Sequence, residues 1–227
     1  MGQIAWLGPN DPFPNPLLEA DPDPSVPGLI AVSEQIYPGQ LARAYQQGIF
    51  PWYSDNQPVL WWSPDPRMVL KPSNFKCSDS LRKIIRLFCQ NSQSQVEVDG
   101  DFGAVIRSCA TSARKDQDGT WITESIIDAY CALHDTGLAM SAETWIDGQL
   151  VGGLYGVKLG RMFYGESMFH HVTDASKIAF VHMVHRLESI GVELIDCQMK
   201  TSHLSSLGAK EISRDDFIRQ LKELITV

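Results

Sequence analysis

The run M-S-A-E-T-W-I-D-G-Q-L-V-G-G-L-Y-G-V-K-L-G-R-M-F-Y-G, Met140 to Gly165, decides the fold. Its β-branched and aromatic residues are cut by Asp147-Gly148 and by Lys158-Leu159-Gly160, both tight-turn signals. The pattern predicts three strands, Met140–Ile146, Gln149–Val157 and Arg161–Gly165, in an antiparallel meander. Asp174 then caps a helix to about Ser189, Gly191 stops it, and Val192–Cys197 returns as a further strand. The order is strand, strand, strand, helix, strand, which places the chain in the α+β class.

Working upstream, apolar spacing predicts helices over about 79–90, about 101–113 and about 124–136. In the second, Phe102, Val105, Ile106 and Cys109 face inward. The third has Thr123 as its cap and Gly137 just past its end. Ser213 with Asp216 three residues on signals a last helix bearing Phe217, Leu221 and Leu224. Nearer the start, Pro38 suits the first position of a short helix with Leu41, Ala44 and Tyr45 on one face and Gly48 at its stop. Seven of the thirteen prolines lie in residues 8–28, which are therefore expected to form an extended arm rather than a packed element. Between these, Phe50–Tyr53 and Leu60–Arg67 hold Trp52, Trp61 and Trp62, a density that suits a rigid wall; Trp61 and Trp62 are expected in a core, and Trp52 suits either a core or a pocket wall. We expect a small N-terminal α+β domain with its proline-rich arm over 1–64 and a larger domain over 65–227.

The chain has 227 residues, enough to bury an ordinary core. Cys77, Cys89, Cys109, Cys131 and Cys197 are odd in number and scattered, which argues against a disulfide framework or a zinc cage and fits a reducing cytoplasm. The first residues lack a basic segment and a long apolar run, and no stretch approaches a membrane span, so a cytoplasmic chain with no membrane partner is expected. A net charge of −8 excludes a protein coated in nucleic acid over its whole surface. A local basic patch remains: around Leu81, Ile84, Ile85 and Phe88, the residues Arg82, Lys83 and Arg86 fall on the opposite helix side. Three such charges are most often a solvated face.

The chemistry concentrates in Leu194-Ile195-Asp196-Cys197-Gln198. Strand alternation turns Asp196 and Gln198 one way and Ile195 and Cys197 the other. A carboxylate on an apolar strand needs a partner, a proton or a function. The element order suggests an acyltransferase fold of the GNAT type, whose coenzyme A users carry a glycine-rich loop before the main helix. Here Phe169–Lys177 has no glycine, so coenzyme A is not expected. Weaker candidates are Cys197 as a nucleophile with His203 as base, and His182 with His185 as part of a metal site, for which no third ligand with matching spacing is evident.

The blocks G-I-F-P-W-Y (48–53), W-W-S-P-D-P-R (61–67), G-T-W-I-T (119–123), L-V-G-G-L-Y-G (150–156), F-Y-G-E-S-M-F (163–169), A-S-K (175–177), L-I-D-C-Q (194–198) and S-L-G-A (206–209) occur in one order over about residues 28–220. In these the sequence closely resembles the leucyl/phenylalanyl-tRNA–protein transferase family. The resemblance implies an enzyme that moves Leu or Phe, less readily Met, from its tRNA to the N-terminal Arg or Lys of a protein, marking it for degradation. It implies a GNAT-like C-terminal domain, no cofactor and no metal. It also implies Asp196 and Gln198 as the catalytic pair, with Glu166 beside them. Trp52, Trp121, Phe163, Gly165, Ile195, Met183 and Leu154 would hold the terminal adenosine and donor side chain, and Arg82, Lys83 and Arg86 the tRNA acceptor stem. Met140, Ser33-Glu34-Gln35 and Met183 depart from the usual family pattern, so a preference between Leu and Phe is not carried over. The rival readings are an acyl-CoA-dependent N-acetyltransferase and a non-catalytic RNA-binding module, the latter using the basic helix but not Asp196 and Gln198.

Overall fold

The structure, a computed structural model, describes residues 4–18, 23–37, 39–54, 57–112 and 122–226. The chain begins with β1 (Ala5–Leu7), β2 (Leu29–Ser33), α1 (Gln40–Tyr45), β3 (Phe50–Pro51) and β4 (Val59–Trp62), whose strands form a four-stranded sheet in the order β1-β2-β4-β3. It continues with β5 (Arg67–Leu70), α2 (Asp79–Gln90), β6 (Ser94–Val98), α3 (Phe102–Thr111), α4 (Glu124–Asp135), β7 (Ala139–Ile146), β8 (Gln149–Leu159) and β9 (Met162–His170). α5 (Ala175–Ser189), β10 (Leu194–Gln198), α6 (Ser202–Ser206), β11 (Lys210–Ile212) and α7 (Arg214–Ile225) complete it. The second sheet has seven strands in the order β11-β5-β10-β9-β8-β7-β6.

β7, β8 and β9 are the antiparallel meander, turned at Asp147-Gly148 and at Gly160, where positive φ angles occur. α5 crosses back so that β10 runs parallel to β9, with Leu194, Ile195 and Asp196 beside Met162, Phe163 and Tyr164. This is the GNAT-like order expected from the sequence. Gly152 lets α5 sit down on β8, since a Cβ there would lie 2.5 Å from that of Ala175. Gly156 is needed for a different reason: a Cβ would lie 2.1 Å from the carbonyl oxygen of Tyr164, inside a bulge of the β8–β9 ladder.

One sheet face packs Tyr45, Trp61, Phe102, Tyr130, Tyr155, Tyr164 and Phe217 into a core that continues into the small sheet. The other packs Leu154, Phe163, Met183, Leu187 and Ile195 beneath α5. Such two-sided burial explains why the central strands carry apolar residues on both faces.

Several expectations need correction. The proline-rich arm is packed in part: buried Phe13 meets Trp61 edge-on at a centroid distance of 5.0 Å, and just ahead of the arm β1 adds to the small sheet in parallel with β2. Proline restricts φ but leaves side chains free to bury, which the composition argument overlooked. Trp61 is in the core as expected, whereas Trp62 is only half-buried and donates its indole N–H to the Trp52 carbonyl at 2.7 Å. β5, β6 and β11 were not foreseen, because strands of three to five residues are too short to give a periodic signal. α5 begins after Asp174 as predicted, but Asp174 sits in the left-handed region and its carboxylate takes Lys177 Nζ at 2.6 Å instead of capping the helix. Pro38, expected at a helix start, lies outside the described residues.

Candidate active site

β9 and β10 run side by side as far as Tyr164 and Asp196 and then part, and both strands are irregular at that point. On β9, Gly165 pairs with Gly156 and Ser167 with Tyr155, leaving Glu166 as the extra residue of a bulge. On β10, Asp196 pairs with Val69 and Gln198 with Met68, leaving Cys197 as the extra residue. Bulges re-aim the side chains around them, and here they turn Glu166 and Gln198 towards each other. Gln198 Nε2 donates to Glu166 Oε1 at 3.4 Å. Gln198 has φ 61°, a left-handed conformation that costs a residue with a Cβ about 1–3 kcal/mol.

The parted strands open a cleft of about 410 Å³. Leu154, Phe163, Phe180, Ile195 and Leu204 make its apolar wall, and Glu166, Gln198, Thr201 and His203 bring the polar groups. A cavity of this kind suits an apolar side chain whose reacting atoms lie at the polar rim.

Behind the rim lie two buried networks. In the first, Tyr130 donates its hydroxyl to Glu166 Oε2 at 3.0 Å, and the hydroxyls of Tyr130 and Tyr45 meet at 2.5 Å. In the second, Arg67 Nε and Nη2 donate to Asp196 Oδ1 and Oδ2 at 2.9 and 2.6 Å. Both side chains of that ion pair are fully buried. Asp196 Oδ1 also accepts the backbone N–H of Gln198 at 2.8 Å.

Burial pushes the Glu166 carboxyl up to about 7; hydrogen bonds from Tyr45 and Tyr130 oppose the rise, the Asp196 charge adds to it and Arg67 offsets it. Such a group is poised to exchange a proton near neutral pH. Folded, Glu166 binds its proton more tightly than in the unfolded chain. Its contribution to folding is therefore full below its ordinary value of 4.5 and is lost as pH rises to about 7. Glu166→Gln should remove this pH dependence, up to about 3 kcal/mol between pH 4 and pH 8. Urea unfolding at both pH values checks it; an unchanged difference in the variant would refute the assignment.

Burial likewise pushes the Cys197 thiol well up, with the Asp196 charge adding to it, so Cys197 remains a thiol and a weak nucleophile. Among the described residues no group of three or more metal-ligating side chains occurs, so His182 and His185 gain no third ligand.

Of the residues singled out in the sequence, Glu166, Gln198, Asp196, Phe163, Gly165, Ile195 and Leu154 converge on this cleft. The carboxylate of Asp196 does not face the opening, because Arg67 engages both of its oxygens. Met183 is buried beneath the wall, against the core of Phe163 and Ile195. Trp52 is exposed and stands 6.3 Å from Trp62, outside the cleft lining. Trp121 lies outside the described residues. Arg82, Lys83 and Arg86 are all exposed on α2, where Leu81 alone of the helix is fully buried. Sequence reasoning missed Arg67, Tyr45, Tyr130, Phe180, Thr201 and Leu204. The signal for the first was an arginine beginning the buried run Met68-Val69-Leu70, where an unpaired charge is not tolerated.

The family described as leucyl/phenylalanyl-tRNA protein transferase matches residues 69–222, and its N-terminal domain matches residues 34–65. A leucyl/phenylalanyl-tRNA–protein transferase of Burkholderia orbicola (strain MC0-3) is 53% identical over 222 residues, covering 98% of this chain and 87% of its own. That of Burkholderia vietnamiensis (strain G4 / LMG 22486) is 54% identical over 219 residues, covering 96% and 86%. Among solved structures, L-PGS from Bacillus licheniformis aligns with a TM-score of 0.48 at 12% identity, over 86% of this chain and 72% of that one.

Proposed function

Because the chain belongs to the leucyl/phenylalanyl-tRNA–protein transferase family, we propose that the β9–β10 cleft is where it moves Leu or Phe, and less readily Met, from aminoacyl-tRNA to the N-terminal Arg or Lys of a protein, marking that protein for degradation. The observation that carries this reading is the coincidence of an apolar cavity with Glu166 and Gln198 at its rim. The donor side chain enters between Phe163 and Ile195, which leaves its ester carbonyl at the polar edge. The α-amine of the acceptor attacks that carbon, an amide bond forms, and the ester C–O bond to the ribose breaks. The proton released by the amine ends on the ribose hydroxyl.

An aminoacyl ester is already activated, so the work left to the protein is positioning and proton management. Gln198 Nε2 is directed at Glu166, which turns the carboxamide oxygen towards an incoming amine as an acceptor. Glu166 attracts the cationic N-terminus when ionised and takes up a proton readily at neutral pH. Acetyl transfer from coenzyme A is disfavoured by the segment before α5, which has no glycine to bring backbone N–H groups close to a pyrophosphate. Among the described residues no helix is long and apolar enough to cross a membrane.

Purified protein incubated with Leu-, Phe- or Met-tRNA and peptides starting with Arg or Lys should yield the extended peptides, Leu and Phe ahead of Met. Acetylation from acetyl-CoA in place of aminoacyl transfer would overturn the reading. Binding of the acceptor stem is assigned to α2. Replacing Arg82, Lys83 and Arg86 together by Ala should weaken tRNA binding by about tenfold near physiological salt and flatten its dependence on salt, because each lost phosphate contact releases one counterion fewer. Turnover at saturating tRNA should stay unchanged. Filter binding over a salt series checks this, and an unaltered slope would remove α2 from the interface.

A further inference from the structure

We propose that Arg67 is a positioning residue of this site, which clamps Asp196 so that its carboxylate fixes the left-handed turn from which Gln198 reaches the cleft; the inference rests on the aminoacyl-transfer reading above. The guanidinium has no freedom to do anything else. Its plane lies between the rings of Phe50 and Phe217, with the central carbon 4.7 and 4.5 Å from their centroids. Nη1 donates to the Gly48 carbonyl at 3.1 Å, while Nε and Nη2 hold the two oxygens of Asp196. Separate parts of the chain thus meet at one buried charge: the turn after α1 with β3, the start of β5, β10 and α7.

The consequence lies two residues along. With Arg67 holding it, Asp196 Oδ1 faces the backbone N–H of Gln198. A carboxylate accepting from the residue two positions on closes a local turn, which supports a left-handed conformation that a glutamine does not adopt unaided. The turn sends the carboxamide to Glu166. Neither Arg67 nor the carboxylate of Asp196 touches the substrate in this arrangement; both act through Gln198. A lysine keeps the charge but has no planar fork, so it cannot hold both carboxylate oxygens and the Gly48 carbonyl at once.

The test compares the full-length protein with Arg67→Lys by hydrogen exchange at the Gln198 amide and by transfer kinetics. The expected result is a loss of protection at Gln198 of about tenfold or more while the β9–β10 ladder stays protected, with kcat lowered by about tenfold and KM for Leu-tRNA unchanged. A folded Arg67→Lys protein with Gln198 protection and kcat intact overturns the proposal, as does a loss of protection spread evenly over the sheet. Should this variant fail to fold, Arg67→Gln combined with Asp196→Asn gives a neutral pair that retains an acceptor for the Gln198 amide. It is expected to keep the Gln198 amide protected to within about threefold of the parent. Loss of that protection in the folded double variant overturns the proposal. If the parent protein transfers no aminoacyl group, the functional reading fails, and exchange at Gln198 still decides the role of Arg67.

Discussion

Asp196→Ala is expected to destabilise the protein by about 3–5 kcal/mol and to abolish transfer with it. The size follows from what remains behind. Arg67 is fully buried, pressed between Phe50 and Phe217, and loses both hydrogen bonds it gives to Asp196. A desolvated guanidinium without its carboxylate is among the most costly defects a core can contain. The amide of Gln198 loses its acceptor at the same time. Because a typical domain has only about 5–15 kcal/mol of stability, a loss of this size removes a large fraction of it. Urea denaturation monitored by tryptophan fluorescence provides the measurement. A loss below about 1 kcal/mol would mean that the ion pair matters far less than its burial indicates.

The second large effect separates chemistry from folding. Gln198→Ala is expected to lower kcat by about 10²–10³ with a stability change under about 1 kcal/mol. The side chain is only half-buried and its contact with Glu166 is a long one, so little folding energy depends on it. Alanine meets the same left-handed backbone cost that glutamine already bears. What disappears is the acceptor that orients the attacking amine and the donor that keeps one lone pair of Glu166 occupied. Single-turnover transfer with Leu-tRNA distinguishes this from weakened binding. A variant with normal kcat and raised KM would reassign Gln198 to substrate affinity alone.

Much of the site was legible in the chain. Alternation in Leu194–Gln198 drew attention to an acid and an amide in an apolar strand, and both belong to the cleft region. Turn chemistry at Asp147-Gly148 and Gly160 located the meander, and capping signals located α5 and α7 to within a residue or two. Alternation was less reliable at the point where it mattered most. A strand of period two cannot describe β9 at Glu166 or β10 at Cys197, because each carries a bulge there. Nothing local announces these bulges: they arise where β9 and β10 part and the backbone must still pair on its other side.

The partners of the site's acidic groups come from far away in sequence. Arg67 stands 129 residues from Asp196, and Tyr130 stands 36 from Glu166. Local propensity and periodicity report on neighbours within a few turns or strand residues, so they identified the meander, the main helices and the presence of an acid on β10. Whether that acid faces solvent, substrate or a buried cation depends on which segments pack against it. The chain therefore specified locally that Asp196 needs a partner, and packing of the two sheets and α7 made that partner Arg67. The raised proton affinity of Glu166 has the same origin, since desolvation by surrounding segments exists only after the fold has closed around the carboxylate.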